Sequence, residues 1–200
     1  MTDKPIFLLA PGAGASCAHP RMQDFARLLA ERGEVTLFDY PYQREGRRRP
    51  DPLPRLVEAH REAVVDLKRR SGRAPILVGK SMGGRVGCHV SLEEETRALV
   101  CLGYPLLGGG DPDKKRDAVL RALKTPILFV QGTRDPLCPL DLLAEVRAQM
   151  QAPSALHVAA DGDHSLLARK TALKAAGATQ ADVDRAIGAA LDAFIAGLPR

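Results

Sequence analysis

Short apolar runs alternate with amphipathic helical patterns along the chain, and this alternation constrains the fold more than any other feature of the sequence. The first run, Ile6–Ala10, is apolar throughout, as in strands that are buried on both faces of a sheet. The runs predict six strands, at residues 6–10, 34–38, 76–78, 99–102, 127–130 and 155–158. We therefore predict a single α/β domain over residues 1–200, with a parallel sheet of about six strands and helices on both faces.

Helical spacing of apolar residues fills the segments between and after these runs. It predicts helices over residues 22–31, 53–72, 82–90, 114–123 and 140–150, and a C-terminal helix that begins at a capping box formed by Thr179 and Asp182. No segment between two predicted strands is long enough to form a lid domain. We therefore expect an open site without a cap.

The net charge of +5 arises in one stretch of the chain. Residues 44–73 contain ten basic and five acidic residues, whereas the charges of the remaining residues balance. Part of the excess lies on the predicted helix 53–72, beside acidic residues on the same face, and the rest lies on the loop 44–49. Because a confined excess is weak evidence for a polyanionic partner, we predict neither nucleic-acid nor membrane binding.

The cysteines show neither a CxxC pair nor zinc-finger spacing; they are Cys17, Cys88, Cys101 and Cys138. They are too few for a disulfide framework, and no run approaches the roughly 20 apolar residues that span a bilayer. These features favour reduced thiols in a soluble cytoplasmic protein. We predict no metal site and no cofactor.

The strongest motif is Gly79-Lys80-Ser81-Met82-Gly83, a G-x-S-x-G sequence directly after the third predicted strand and at the start of a helix. In this context a sharp turn lifts the serine oxygen above the sheet, and small residues on both sides of the turn avoid collisions. The helix N-terminus favours a developing negative charge. The motif predicts Ser81 as a nucleophile; the alternative is a glycine-rich turn that binds a phosphate or nothing.

A serine nucleophile needs a histidine base oriented by a carboxylate, and on this fold the chain order is serine, acid, histidine. Asp135 follows the fifth predicted strand and His164 follows the sixth, so both are expected at the sheet edge where Ser81 lies. Asp161 and Asp163 are alternative acids. Because they are close to His164 in the chain, we prefer to assign them to turning its loop.

Two backbone N–H groups are expected to hold the oxyanion. Met82, the residue after the nucleophile, would supply one. The loop after the first predicted strand would supply the other, with Ala13 as first choice and Gly14 and Ala15 as alternatives. His19, the only other histidine near a strand end, precedes the serine and is a weaker candidate base.

Seven segments, spread from the first predicted strand to the sixth, carry a family resemblance: residues 11–14, 38–42, 46–50, 79–85, 103–105, 132–135 and 162–164. With these segments the chain resembles the α/β-hydrolases, and within them the small capless members related to dienelactone hydrolases. It is most similar to a branch whose eukaryotic members include a testis-expressed hydrolase-like protein and a subunit of a histone-acetyltransferase complex. The resemblance implies that Ser81, Asp135 and His164 are nucleophile, acid and base.

Three features depart from the pattern of these relatives. Pro11 replaces the histidine that usually precedes the oxyanion-loop glycine, and the usual N-terminal antiparallel hairpin is missing. Dienelactone hydrolases use a cysteine nucleophile, whereas position 81 is serine. Some eukaryotic relatives act as scaffolds, which keeps a non-enzymatic function open.

The loop 44–49 contains four arginines and leaves the same sheet edge as the serine. One of them would steer or clamp an anionic substrate; the alternative, which we prefer, is a solvated loop or arginines paired with neighbouring carboxylates. Arg47 and Arg48 are therefore candidate substrate-binding residues, together with Gly14.

The sequence thus predicts a serine hydrolase that cleaves small carboxylic esters or thioesters through an acyl-enzyme intermediate. Its partner would be a small-molecule substrate, and whether that substrate is anionic stays open, as does a homodimer. The alternative is a hydrolase-fold protein used for binding or scaffolding.

Overall fold

A computed structural model describes residues 4–199; residues 1–3 and 200 of the expected domain lie outside the described residues. Six parallel strands form the central sheet in the order β2-β1-β3-β4-β7-β8, and β5 and β6 form a separate two-stranded sheet. The strands are β1 (Ile6–Ala10), β2 (Glu34–Leu37), β3 (Ile76–Lys80), β4 (Ala98–Leu102), β5 (Leu107–Gly108), β6 (Asp111–Lys115), β7 (Ile127–Gly132) and β8 (Ser154–Ala159).

Helices lie on both faces of the sheet, which confirms the predicted α/β architecture. They are α1 (Pro20–Ala30), α2 (Pro41–Arg44), α3 (Leu53–Ser71), α4 (Met82–Val90), α5 (Ala118–Ala122), α6 (Leu140–Arg147), α7 (Lys170–Ala175) and α8 (Gln180–Ala196). The apolar sides of α1 and α8 pack on one face, and those of α3, α4, α5 and α6 pack on the other. Within residues 4–199 there is no cap domain, and no helix has the length and apolar character needed to cross a bilayer.

The apolar run of β1 is explained by its position between these two helical layers. Ile6, Leu8 and Ala10 contribute to the core under α3 and α4, whereas Phe7 and Leu9 contribute to the core under α1 and α8. Since successive side chains of a strand point to opposite faces, a strand buried on both sides needs apolar residues at every position. All four cysteines are buried, and the structure has them as free thiols.

The predicted helix 114–123 is wrong in its first half. Asp111–Lys115 is the strand β6, which pairs antiparallel with β5, and only Ala118–Ala122 is helical. Gly109 and Gly110 connect the two strands with φ of 68° and 80°, a left-handed conformation that glycine adopts without strain. The exposed, charged residues of β6 also offer no apolar face that would hold a helix against the sheet.

The predicted capping box at the start of α8 is confirmed. The Thr179 hydroxyl accepts a hydrogen bond from the Asp182 N–H, and the Asp182 carboxylate accepts one from the Thr179 N–H at 2.8 Å. These bonds satisfy donors that the first turn of a helix otherwise leaves unpaired.

Candidate active site

Ser81 lies in the sharp turn between β3 and α4, at the carboxyl end of a central strand. Its φ and ψ are 51° and −114°, in the left-handed region that non-glycine residues rarely adopt. Its N–H donates to the Leu102 carbonyl at the end of β4, at 3.1 Å. Strained backbone of this kind persists where the surrounding structure imposes it, and such positions cluster at functional sites.

The glycines of the turn have a steric explanation. A Cβ atom on Gly79 would lie 2.1 Å from the Gly84 nitrogen, and one on Gly83 would lie 2.5 Å from the Ala10 carbonyl oxygen. Both contacts are with backbone, which cannot rotate away as a side chain would. The turn can therefore close only if both positions lack a side chain.

Ser81, His164 and Asp135 form a continuous hydrogen-bonded chain of side chains. The His164 Nε2 atom lies 2.8 Å from the Ser81 Oγ atom, and its Nδ1 atom lies 2.8 Å from the Asp135 Oδ2 atom. With the Nδ1 proton donated to the carboxylate, Nε2 is free to accept the serine proton. The structure thus brings together the three residues that the sequence predicts as nucleophile, base and acid, although they are far apart in the chain.

Asp135 is held as an oriented carboxylate. It is 3% exposed; its Oδ1 atom accepts from the Leu137 N–H at 2.9 Å, and its Oδ2 atom accepts from the Gln131 side-chain amide at 2.5 Å. Burial by itself raises the pKa of Asp135, but the hydrogen bond and charge of His164, with the bonds from Leu137 and Gln131, lower it below its usual value. The carboxyl group therefore remains ionised beside His164.

Gln131, which was not predicted from the sequence, holds the Asp135 carboxylate in place. It is fully buried at the end of β7, and its side-chain oxygen accepts from the Tyr104 N–H at 3.0 Å while its amide nitrogen binds Asp135. Its place in the chain, just before the conspicuous segment 132–135, was the only available signal. Gln131 fixes the carboxylate that in turn orients His164.

Replacing Gln131 by leucine is expected to lower kcat roughly 10- to 100-fold with little change in KM, because a small displacement of Asp135 and His164 misaligns the proton transfer. The free energy of unfolding should fall by about 1–3 kcal/mol, since the buried Tyr104 N–H loses its acceptor. Steady-state kinetics and chemical denaturation measure the two effects. The exposed Gln151 provides the matched control: if Gln151→Leu lowers kcat as much, Gln131 has no positioning role.

The loop that carries His164 packs against two further glycines. A Cβ atom on Gly103 would lie 2.6 Å from the His164 carbonyl oxygen, and one on Gly132 would lie 2.2 Å from the Gly162 carbonyl oxygen. Gly103 also has a φ of 67°. These close approaches explain why glycine occurs in the segments 103–105 and 132–135.

Two segments near Ser81 have backbone N–H groups without a hydrogen-bond acceptor. Met82 is the first residue of α4, so its N–H has no acceptor within the helix. The loop of residues 12–15, which we call the oxyanion loop after its predicted role, passes beside Ser81: a Cβ atom on Gly12 would lie 3.5 Å from the Ser81 Cβ atom. Among the described residues the Ala13 N–H has no acceptor either.

Two side chains of helix α2 hold the oxyanion loop by donating hydrogen bonds to the carbonyl groups of the loop. The Tyr42 hydroxyl donates to the Ala13 carbonyl at 3.0 Å, and the Gln43 amide donates to the carbonyls of Gly12 and Ala15 at 3.0 and 2.8 Å. These bonds hold the loop through its carbonyl groups and do not use its N–H groups. Helix α2 was not predicted from the sequence.

Comparison with known proteins gives the family. A family model described as an alpha/beta hydrolase domain matches residues 3–196. The chain belongs to the α/β-hydrolase family. This membership and the fold support a hydrolase.

Solved structures share the fold of this α/β-hydrolase at low sequence identity. An alpha-beta serine hydrolase homologue from Coxiella burnetii has a TM-score of 0.70 and 17% identity, over 90% of this chain and 84% of its own. A dienelactone hydrolase from Anabaena variabilis has a TM-score of 0.73 and 21% identity, over 100% of this chain and 88% of its own. A monoacylglycerol lipase from Paleococcus ferrophilus has a TM-score of 0.68 and 14% identity, with 96% of both chains covered.

The other titratable candidates of this α/β-hydrolase have structural contacts. Asp163 accepts from the N–H groups of Ser165 and Leu167 at 2.7 and 3.1 Å, which turns the His164 loop. Asp161 pairs with Arg134 and Arg169. Asp163 thus turns the His164 loop, as expected from the sequence, whereas Asp161 ties that loop to Arg134 and Arg169.

His19 caps α1, where its Nδ1 atom accepts from the backbone N–H of Arg21 at 3.2 Å. It lines the same pocket as Ser81, but it forms no hydrogen bond with that residue in the described part of the chain. Its contact with α1 gives it a structural role.

The Ser81 pocket has a volume of about 350 Å³. Its walls are Gly12, Ala13, Gly14, Ala15, His19, Arg21, Met22, Lys80, Ser81, His164 and Ser165. Within residues 4–199 no group of three or more His, Cys, Asp or Glu side chains is arranged to hold a metal ion.

Arg47 and Arg48 lie outside the Ser81 pocket. They line a neighbouring depression that shares Ala13, Gly14 and Ala15 with it but does not contain Ser81. The Arg47 guanidinium binds the carboxylates of Glu45 and Asp51 at 2.7 and 2.8 Å, the paired arrangement that the sequence analysis preferred. Its charge is therefore largely engaged within the loop.

Proposed function

We propose that this α/β-hydrolase cleaves small carboxylic esters or thioesters through an acyl-enzyme formed on Ser81. The observation that carries the proposal is the unbroken chain from the Ser81 hydroxyl through His164 to Asp135, with two contacts of 2.8 Å. A nucleophile, a base within hydrogen-bonding distance and a group that orients the base are what nucleophilic catalysis requires.

In the first step the Ser81 Oγ atom attacks the carbonyl carbon while its proton passes to the His164 Nε2 atom. Asp135 stabilises the imidazolium and keeps the ring oriented. The carbonyl oxygen becomes an oxyanion, which accepts hydrogen bonds from the N–H groups of Met82 and Ala13. Preorganised donors of this kind stabilise the transition state more than the substrate.

In the second half the tetrahedral intermediate collapses and the imidazolium of His164 protonates the leaving oxygen or sulfur. Water then attacks the acyl-enzyme, with His164 accepting its proton, and the carboxylic acid is released as Ser81 regains its hydrogen. The reaction consumes only the ester or thioester and water.

The pocket size predicts short acyl groups. We expect kcat/KM to fall along a series of 4-nitrophenyl esters from acetate to palmitate, because about 350 Å³ cannot bury a long alkyl chain and no cap covers the remainder within the described residues. Release of 4-nitrophenolate measures the series. A preference for palmitate would contradict the assignment of an open, small site.

The direct test of the proposal is labelling with a fluorophosphonate, which forms a stable adduct only with an activated serine. We expect one adduct per chain by intact mass, located on the peptide that contains Ser81, and slower labelling of the His164→Gln variant. A folded protein that gives no adduct would reject the enzyme and favour the binding or scaffold alternative.

A further inference from the structure

Lys80, the residue before the nucleophile, is a buried cation without a partner. Its side chain is only 9% exposed. Within residues 4–199 its ammonium group forms neither a hydrogen bond nor an ion pair. Lysine is rarely buried without a counter-charge because removing an ammonium group from water is costly, so an unpaired buried lysine calls for an explanation.

The structure directs this side chain into the Ser81 pocket. The strand β3 continues two residues beyond its predicted end and includes Lys80. Side chains alternate along a strand, so Lys80 shares the side of Ile76 and Val78, which face α1. Lys80 lines the pocket beside Ser81, between the oxyanion loop and the start of α1.

The Lys80 ammonium also keeps some accessible surface. The described side-chain polar atoms that are both fully enclosed and unpartnered belong to Arg32, His60 and Thr96. Lys80 has no partner either, yet its nitrogen is not enclosed in this way. Because Lys80 also lines the Ser81 pocket, its ammonium is a candidate contact for a ligand bound there.

Arg21, the arginine of the pocket, is already paired. Its guanidinium forms two hydrogen bonds of 2.8 Å with Asp184 and further bonds with the carbonyls of Ser165 and Leu166. It also lies 4.3 Å from the centre of the Phe25 ring. Arg21 is therefore a fixed wall of the pocket.

The carboxylates nearest to Lys80 are engaged elsewhere. Asp135 binds His164, and Asp163 binds the N–H groups of its own loop. Neither comes within ion-pairing distance of the Lys80 ammonium in the described part of the chain. The pocket thus contains one positive charge that no side chain neutralises.

We propose that the Lys80 ammonium binds a carboxylate of the substrate, so that the preferred substrates are esters or thioesters carrying a carboxylate a few bonds from the reacting carbonyl. Lys80 and Ser81 line the same pocket, so an ester bound there would meet both side chains. The inference rests on the proposed function. It assigns anion recognition to Lys80 within the pocket instead of Arg47 and Arg48 on the neighbouring loop.

The test compares two matched pairs of esters by acid release. Monomethyl succinate and methyl butyrate differ by a carboxylate on the acyl side, and acetoxyacetate and isobutyl acetate differ by one on the alcohol side. We expect the wild type to favour the charged member of at least one pair. In Lys80→Met the selectivity, the ratio of the two kcat/KM values, should fall on the order of 10- to 100-fold, mainly through KM.

Lys174→Met is the matched control, because Lys174 is an exposed lysine on α7. The selectivity of this variant for the charged ester should equal that of the wild type. Hydrolysis without carboxylate selectivity overturns the inference and leaves the proposed function standing. An equal fall of kcat for all four esters in Lys80→Met, or loss of selectivity in Arg48→Ala instead, also overturns it. If the wild type hydrolyses none of the esters, the proposed function fails and the inference with it.

The pH dependence provides a second readout. Burial lowers the pKa of Lys80 to about 8, while the charges of Asp135 and Asp163 oppose this shift and that of Arg21 adds to it. As pH rises through about 8 the ammonium loses its charge, so KM for the preferred charged ester should rise while KM for its neutral partner does not. The charged or titratable groups around it are Arg21 and His19 at the start of α1, Asp135 after β7, and Asp163 and His164 after β8.

Stability separates a recognition role from a structural one. The lowered pKa means that folding disfavours charged Lys80, and this penalty is present below the folded pKa. Lys80→Met keeps an apolar side chain of similar length, so it should raise Tm at neutral pH while it loses selectivity. A lower Tm together with unchanged selectivity would make Lys80 a packing residue.

Discussion

Replacing Ser81 by alanine is expected to lower kcat/KM for short esters by about 10⁴- to 10⁶-fold, the range that loss of a serine nucleophile causes in other hydrolases. The change removes one oxygen atom and leaves the positions of His164 and Asp135 intact. Activity should therefore vanish without a loss of structure. Ester hydrolysis and circular dichroism, measured on the same sample, check both parts of the expectation.

The serine at the other end of α4 provides the control. Ser91 lies at the far end of α4, where its hydroxyl donates to the Cys88 carbonyl at 2.9 Å, so Ser91→Ala should retain full activity. If Ser81→Ala retains more than about a hundredth of the wild-type rate, the hydrolysis comes from another group and the assignment of Ser81 fails.

Gly83→Ala is expected to reduce the free energy of unfolding by about 3 kcal/mol or more, enough to abolish folding if the protein is marginally stable. The new Cβ atom would lie 2.5 Å from the Ala10 carbonyl oxygen and 2.6 Å from that of Pro11, both backbone atoms of the strand and loop beside Ser81. Relief requires the turn or β1 to move. Denaturation with guanidinium chloride and the yield of soluble protein measure the effect.

Gly87→Ala is the matched control with the opposite sign. Gly87 lies one helical turn further along α4, and a Cβ atom there would meet its nearest neighbour, the Leu77 Cβ atom, at an ordinary 3.6 Å. Alanine is a better helix former than glycine, so stability should rise by about 0.5–1 kcal/mol. Equal effects of the two substitutions would mean that helix propensity, and not the close approach at Gly83, explains the glycine.

The sequence predicted only in part which charged side chains lie near the site. The sequence correctly indicated that the basic excess of residues 44–73 is local, and in the structure Arg61 and Arg69 pair with Glu58 and Asp66 on the outer face of α3. It also directed attention to the arginine loop as the source of positive charge near the site. The structure pairs Arg47 within that loop, whereas Lys80 lies unpaired in the pocket. Composition counts charges, but burial and distance decide which of them a substrate meets.

The local pattern of the sequence determined most of the fold and the positions where chemistry is expected. Six strands, the turn at Ser81 and the strand ends before Asp135 and His164 follow from apolar runs and glycines, because burial on two faces and steric exclusion act over a few residues. The hairpin β5–β6 and helix α2 escaped prediction because both are short and lack the apolar periodicity on which the prediction of strands and helices depends.

Only the tertiary structure decided which of these residues meet. Ser81, Asp135 and His164 come from the ends of three strands, and their distances depend on the order β3-β4-β7-β8 in the sheet. Likewise, the side chain of Lys80 enters the pocket because β3 runs two residues further than its apolar run. Proximity across a sheet depends on strand order and side-chain direction, and neither is written in the spacing of residues along the chain.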